Sequence, residues 1–371
     1  MITSVRSAAL GLVVVLGCGR VGFDDVTIPP LGHVPPGGAC ELDLNCGLCA
    51  RCEAQVCQPE PITALFAGHR STCYLGASGS RWCAGENTQG DLGLGDAISP
   101  HPIPSRVVGD DGYTVLYLGY YNSYAPRGAR MWSWGSSQLL PFDDFDATAI
   151  ASIKIDGGGT CTGMTDGTID CDPTHTVWAS WEIGQEVDCA IKADGTLWCW
   201  GTDGYNNTGH GVVAFNTVFA NPTQVGTDTD WLAVDPGMSQ TCALKTDHTL
   251  WCWGASATTG TNGVDTMGVP TQLGTDTDWA SLVVHYTHAC ARKNDGELFC
   301  WGSDPDGEPV PGAFGVAVPT LVGTVDDYVL GGHHTCLLAN GQWACYGWNA
   351  GGQLGFGTTD PVEAPTPLCG G

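Results

Sequence analysis

Cysteine is the residue type with the widest chemical scope in this 371-residue chain, which contains 19 of them. A thiol can ligate metal, attack an electrophile or close a disulfide, and spacing helps tell these uses apart. Twelve fall into six pairs: Cys73 with Cys83, Cys161 with Cys171, Cys189 with Cys199, Cys242 with Cys252, Cys290 with Cys300 and Cys336 with Cys345. Five pairs are ten residues apart and the last is nine. Cys40, Cys46, Cys49, Cys52 and Cys57 crowd a short N-terminal stretch, where Cys46-x2-Cys49-x2-Cys52 has a spacing that zinc could use. Other chemistry is sparse. The chain has no G-x-x-x-x-G-K, no G-x-S-x-G and no H-E-x-x-H, so phosphate-loop, serine-hydrolase and zincin sites have no sequence support. His333-His334 reads as structural, and Asp304-Pro305-Asp306-Gly307-Glu308 lacks the fuller spacing of a calcium loop, so it reads as a solvated turn. No catalytic residue, metal site or cofactor is expected.

The elements that carry the pairs are hairpins. Between the members of each ten-spaced pair lies a three-residue loop such as Thr165-Asp166-Gly167, Ala193-Asp194-Gly195 or Asn294-Asp295-Gly296, with Gly where a bulged hairpin needs positive φ. The nine-spaced pair carries the two-residue Asn340-Gly341 instead. Loop and cysteine spacing shorten together, so the register holds and the cysteines face one another across the hairpin. Opposed residues at a non-hydrogen-bonded antiparallel site lie about 4.5 Å apart, within disulfide range. A seventh hairpin has no cysteine: Trp132-Ser133-Trp134-Gly135 repeats the form of Trp198-Cys199-Trp200-Gly201, and Ser123 stands ten residues before Ser133. On this reading Ser123 and Ser133 replace a lost disulfide pair. Its loop ends in Ala129 where others have Gly, so a different turn is expected; His248 is a second departure at that position.

Apolar runs precede most hairpins, and several are followed by a Gly-rich stretch ending in Pro-Thr-Gln-Val (222–225), Pro-Thr-Gln-Leu (270–273) or Pro-Thr-Leu-Val (319–322). An inner strand, a hairpin and a Pro-bearing outer strand make four strands per unit, at about 44 residues each, the arithmetic of a propeller blade. The stretches 82–96 (WCAGENTQGDLGLGD) and 346–360 (YGWNAGGQLGFGTTD) resemble the repeats of the regulator-of-chromosome-condensation (RCC1) family. The resemblance covers about five-sixths of the chain and implies an all-β, seven-bladed propeller over 61–369. Only 18 residues separate Cys171 from Cys189, so one blade is expected to be truncated. Trp200, Trp253, Trp301 and Trp348 are read as core between blades.

Upstream, Arg6 and the apolar run from Ala8 to Leu16 read as an export signal, too short to span a membrane. The run ends in Val15-Leu16-Gly17-Cys18, which resembles the lipobox of bacterial lipoproteins; this implies cleavage after residue 17 and lipidation of Cys18. With Gly19 following, the resemblance implies delivery to the outer membrane or cell surface, with a periplasmic or secreted protein as the alternative. Residues 18–39 read as a Gly/Pro-rich tether and 40–60 as a small disulfide-rich module. In an exported chain, disulfides rather than zinc are the expected use of the clustered cysteines, and Cys369 is expected to close onto that cluster with its mate unspecified.

The formal charge of −26 argues against nucleic acid or anionic lipid as a partner, leaving the lipid on Cys18 as the only membrane contact. Aromatics among few charges mark a candidate binding surface. Tyr120, Tyr121, Tyr124 and Trp132 crowd the blade without a disulfide, and Tyr205 and Phe215 lie in the long loop 201–221. The expected function is therefore a binding propeller that recognises a protein or glycan without catalysis. Guanine-nucleotide exchange is what the family name implies for a cytosolic or nuclear partner, and an enzyme inhibitor is the analogy with secreted members.

Overall fold

The computed structural model describes residues 17–18, 39–40, 50–53, 56–109, 113, 115–136, 138–156, 159–211, 214–255, 257–263, 268–303, 310–313 and 315–368. The apolar run 8–16, Cys46, Cys49, Cys369 and the acidic stretch from Asp304 to Glu308 lie outside them. Among the described residues every regular element is a strand. Short strands Ala50–Glu53 and Val56–Pro59 pair antiparallel, with Cys52 opposite Cys57, in a small N-terminal sheet. Beyond it stand six four-stranded antiparallel sheets: blade 1 (62–106), blade 2 (117–146), blade 3 (180–224), blade 4 (231–272), blade 5 (279–324) and blade 6 (327–367). Seven complete blades are not present: between blades 2 and 3 stands a two-stranded sheet of Ile150–Asp156 and Gly159–Met164. The innermost strands contact one another in succession and that of blade 6 meets that of blade 1, so the ring closes.

The cysteine register follows the loop arithmetic. Cys73 is bonded to Cys83, Cys189 to Cys199, Cys242 to Cys252, Cys290 to Cys300 and Cys336 to Cys345. Each of these five pairs sits directly opposite on the two middle strands of its blade. Their Cα atoms are 4.1–4.2 Å apart. Cys83, Cys252, Cys300 and Cys345 are fully buried with their partners, so the bridges belong to the blade interiors and stand apart from any binding surface. The bond from Cys161 to Cys171 is wider, at 5.4 Å, because Cys171 lies in a turn of the two-stranded unit rather than on a third strand. Gly195 and Gly296 take positive φ as expected, as do both Asn340 and Gly341; His248 adopts φ 63° at the position where its counterparts have glycine.

Blade 2 departs from expectation in register. Its hairpin turns through two residues, Gly128 and Ala129, with Gly128 at φ 61° and Arg127 opposite Arg130. Tyr124, not Ser123, therefore faces Ser133. Ser123 instead faces Trp134, as Thr241 faces Trp253 in blade 4. The lost-disulfide pairing of Ser123 with Ser133 fails because the shorter turn shifts register by one residue.

Blades are joined by indoles. Trp134 Nε1 donates to the Asp91 carbonyl of blade 1, and Trp253 Nε1 to the Asn207 carbonyl of blade 3, both at 2.8 Å. The same carbonyls accept from Ser123 Oγ and Thr241 Oγ1. Each ring lies against a positive-φ glycine: a Cβ on Gly93 would stand 2.9 Å from Trp134, on Gly209 3.0 Å from Trp253 and on Gly260 2.9 Å from Trp301. The Gly-rich stretches after the third strands of blades 1, 3 and 4 are thus sockets for the next blade's indole. Buried Asn87 shapes the first of them, accepting the Leu92 N–H five residues on; Asn349 accepts likewise from Leu354, but its loop closes on Ala84 and Pro104 of blade 1 rather than on an indole. Where the two-stranded unit offers no such loop, Trp178 substitutes. It stacks on Trp200 with centroids 5.8 Å apart, and its Nε1 donates to Asp172.

Trp348 does not belong to this set. Tyr346 occupies the buried position, while Trp348 is half-buried under the Arg70 guanidinium and edge-on to His333. Trp253→Ala is expected to cost about 3–5 kcal/mol, the range for deleting a large buried ring, while Trp348→Ala should cost less than roughly 2 kcal/mol. Urea unfolding of the oxidised protein checks this; equal losses would refute the division.

Candidate functional site

The connections between first and second strands build one mouth of the central channel. Five share a pattern: Gly68-His69-Arg70-Ser71, Gly119-Tyr120-Tyr121-Asn122, Gly184-Gln185-Glu186-Val187, Gly237-Met238-Ser239-Gln240 and Gly331-Gly332-His333-His334. In each, the leading Gly N–H donates to the carbonyl three residues on, closing a tight turn. These glycines allow neighbouring turns to meet at the axis. A Cβ on Gly184 would lie 2.6 Å from the Pro236 carbonyl, and one on Gly331 2.8 Å from the Gly68 carbonyl. Adjacent turns are also bonded, with Met238 N–H donating to the Tyr286 carbonyl and Gly332 N–H to those of Gly68 and His69. Blade 5 lacks the glycine, and Tyr286 bears the consequence at φ 53°, a conformation costly for a bulky side chain.

The two residues after the glycine are the ones that vary, and those of blades 1, 2 and 3 line the mouth together with Tyr286. His69, Arg70, Tyr120, Tyr121, Gln185, Glu186 and Tyr286 surround a cavity of about 400 Å³. Beneath it the channel itself, about 320 Å³, is walled by inner-strand residues such as Leu65, Phe66, Leu118, Ile153, Val283 and Leu330. The aromatic rings interlock: Tyr120 lies 4.4 Å from His69 and 4.2 Å from Tyr121, and Tyr286 lies 5.2 Å from His69 and 5.0 Å from His333. Arg70 pairs with Glu86 at 3.2 Å and spreads over Trp348, which fixes its guanidinium.

Charge at the mouth is held low. Burial, followed by the neighbouring His285 and His333, lowers His69 from 6.5 to about 2. Burial, followed by His285 and His333, lowers His334 to about 3. Both rings are therefore neutral at ordinary pH. His334 Nε2 meets Thr72 Oγ1 at 2.7 Å, tying blade 6 to blade 1, so the expected structural role of this histidine holds.

Of the six aromatics singled out in the sequence, Tyr120 and Tyr121 are at the mouth. Tyr205 and Phe215 are exposed on the loop between the third and fourth strands of blade 3, which opens at the same end because strands alternate in direction. That loop starts beside the site, where Thr202 N–H donates to the Glu186 carbonyl. Trp132 and Tyr124 are not brought there. Trp132 packs half-buried against Tyr113 under Arg127, and Tyr124 sits mid-sheet opposite Ser133. The sequence reading missed His69, Arg70, Gln185, Glu186 and Tyr286; the recurring Gly-x-x at the end of each apolar run was the available signal. Among the described residues, the one cluster with metal-ligand types at close range is Cys161, Asp170 and Cys171, whose two sulfurs are bonded to each other.

With this geometry in hand, the repeat can be placed. Residues 286–308 match the regulator of chromosome condensation (RCC1) repeat. That segment carries the RCC1 repeat, and the ring around it has the fold of RCC1-type propellers. Human WBSCR16 superposes with a TM-score of 0.65 at 16% identity, covering 78% of this chain and 92% of that one. Prp20p of Saccharomyces cerevisiae, whose crystal structure was described with its binding to Gsp1p and histones, gives 0.65 at 16%, covering 84% and 88%. At such identity the likeness is one of fold. The E3 ubiquitin-protein ligase HERC2 of Homo sapiens is 23% identical over 202 residues, 52% of this chain but 4% of that much longer protein.

The buried neutral histidines set an acid limit on the ring. Unfolded, each ring takes a proton near pH 6.5; folded, His69 does so only near 2 and His334 near 3. Between those values the unfolded state holds more protons, so this contribution is complete above about pH 6.5 and is lost as pH falls. Replacing His69 with Gln should flatten the dependence of unfolding free energy on pH between 6 and 4, by up to ~1.4 kcal/mol per unit. Denaturant melts across that range measure it, and an unchanged slope would contradict the assignment.

Proposed function

We infer that the chain is an envelope-anchored recognition propeller that grips a protein or a glycan at the mouth of its channel and carries out no catalysis. The observation that carries this reading is the convergence of differing turn residues from four separate blades on one cavity, three of those turns opening with the same glycine. A rigid scaffold presenting varied side chains at one end is how binding sites are commonly built. We take the two-stranded sheet as a reduced seventh blade, supported by the unbroken succession of inner-strand contacts around the ring.

Six disulfides within the propeller indicate an exported, oxidising environment. Among the described residues no helix is long and apolar enough to cross a membrane. Together with the lipobox-like Val15-Leu16-Gly17-Cys18, this supports attachment through an acylated Cys18. The same disulfides weigh against inheritance of the exchange activity that the family name suggests.

Two experiments test the reading. Cys18→Ala should move the protein from the membrane to the soluble fraction of the producing cell; continued membrane association would remove the lipid anchor. Affinity capture with the full oxidised chain from envelope and secreted fractions should recover a saturable ligand that is lost with Tyr120→Ala plus Tyr121→Ala. Equal recovery by both forms would place recognition elsewhere.

A further inference from the structure

The mouth cavity has a composition that selects among ligand classes. Its walls combine flat aromatic faces with planar polar groups: Tyr120, Tyr121 and Tyr286 beside Arg70, Gln185 and Glu186. Arg offers donors only, an ionised carboxylate acceptors only, and a primary amide both. That mixture suits a ring of hydroxyls, each of which donates and accepts, and the tyrosine faces suit the apolar C–H face of the same molecule. Charge argues against an ionic ligand of either sign. The Arg70 charge is balanced by Glu86 through one of its donors, and Glu186 stands exposed at the rim of a chain carrying −26, so an anion would be repelled. A cation would meet Arg70 on the wall, beside a His69 that stays neutral.

The site is also built in advance. Turn-to-turn hydrogen bonds lock the backbone, and Tyr286 is held at a positive φ that such a residue does not adopt by preference. Strain of this sort, maintained where side chains converge, is characteristic of binding sites. Two residues that line the cavity also hold buried polar atoms without a protein partner, His69 Nδ1 and Arg70 Nε. The cavity, at about 400 Å³, falls at the small end of the range for ligand sites, roughly 300–1,000 Å³. That leaves room for a terminal sugar ring or a short saccharide rather than a folded domain.

We propose that the channel mouth is a binding pocket for an uncharged pyranose sugar at the end of a glycan, with Tyr121 stacking on the ring and Arg70, Gln185 and Glu186 addressing its hydroxyls. This rests on the recognition reading above and narrows it to one ligand class.

The test uses the full, disulfide-intact chain in detergent micelles. The probes are glucose, galactose, mannose, N-acetylglucosamine and their β-1,4-linked disaccharides, followed by saturation-transfer NMR and calorimetry. At least one probe should bind, with transfer strongest to its ring C–H protons. Tyr121→Ala, at a half-exposed position, should weaken that binding about tenfold or more. Glu186→Gln should also weaken it, and Leu321→Ala, exposed on the outer strand of blade 5, should leave it unchanged. Absence of binding by every probe would overturn the proposal, as would binding indifferent to both mouth substitutions. If no sugar binds while a captured protein is lost with Tyr120→Ala plus Tyr121→Ala, the sugar proposal falls and the recognition reading stands.

Discussion

The ring depends on a side chain that leaves its own blade. A β-sheet with four short strands cannot bury both faces alone, so each blade must be covered by its neighbours. In blades 2, 4 and 5 the covering contact is an indole from the third strand, set into a glycine-lined loop of the preceding blade. Hydrophobic burial supplies the attraction, and the N–H···O=C bond to Asp91 or Asn207 fixes the angle. The glycine on the other side is obligatory twice over, since it takes positive φ and a Cβ would overlap the ring. Loop, indole and glycine therefore form one unit, and where the loop is absent the chain supplies Trp178 instead.

The opposite end of the ring is built from a different repeated device. In hairpins such as Asp194-Gly195-Thr196 and Asp247-His248-Thr249, the aspartate accepts from the threonine N–H and Oγ1–H, and that hydroxyl in turn accepts from an indole, Trp198 or Trp251. Lysines lie over the same rings: Lys192 is 3.5 Å from the centroid of Trp198, and Lys245 is 4.5 Å from that of Trp251. Lys245 and Lys293 each meet a pair of aspartates as well. The remaining lysine, Lys154, pairs with Glu182. The few lysines in an acidic chain are thus drawn into local packing, which leaves the surface charge strongly one-sided.

Features enforced by local chemistry could be read from the sequence. Hairpin loops, cysteine register and the Gly-rich loops around Asn87 and Asn349 are each contained within about fifteen residues, so spacing alone reveals them. What escaped reading depended on how turns resolve or on what lies across a blade boundary. Ser123 looked like half of a lost pair because a three-residue loop was assumed; Gly128 at positive φ made it two, and Tyr124 took the facing position. Trp348 looked like core because it sits two residues beyond Tyr346, the true occupant, a distinction set by where the third strand ends. Two of the six candidate aromatics line the mouth, and the rest of that site comes from turns more than a hundred residues apart.

Those turns explain why recognition and stability can be separated in this molecule. At each Gly-x-x the glycine and the closing hydrogen bond satisfy the backbone, and close approach to the next turn fixes its position. The two side chains that follow are then free to differ from turn to turn: Tyr120 and Tyr121 or Gln185 and Glu186 line the cavity, while Ser239 is buried against Thr258. Blade 5 is informative because it breaks this rule, giving up the glycine and holding Tyr286 in a strained conformation. A fold under no further constraint would place glycine or asparagine there, since either adopts positive φ at lower cost. Retaining tyrosine puts a phenol ring against His69 and His333 at the rim of the cavity, and that placement is what the strain secures.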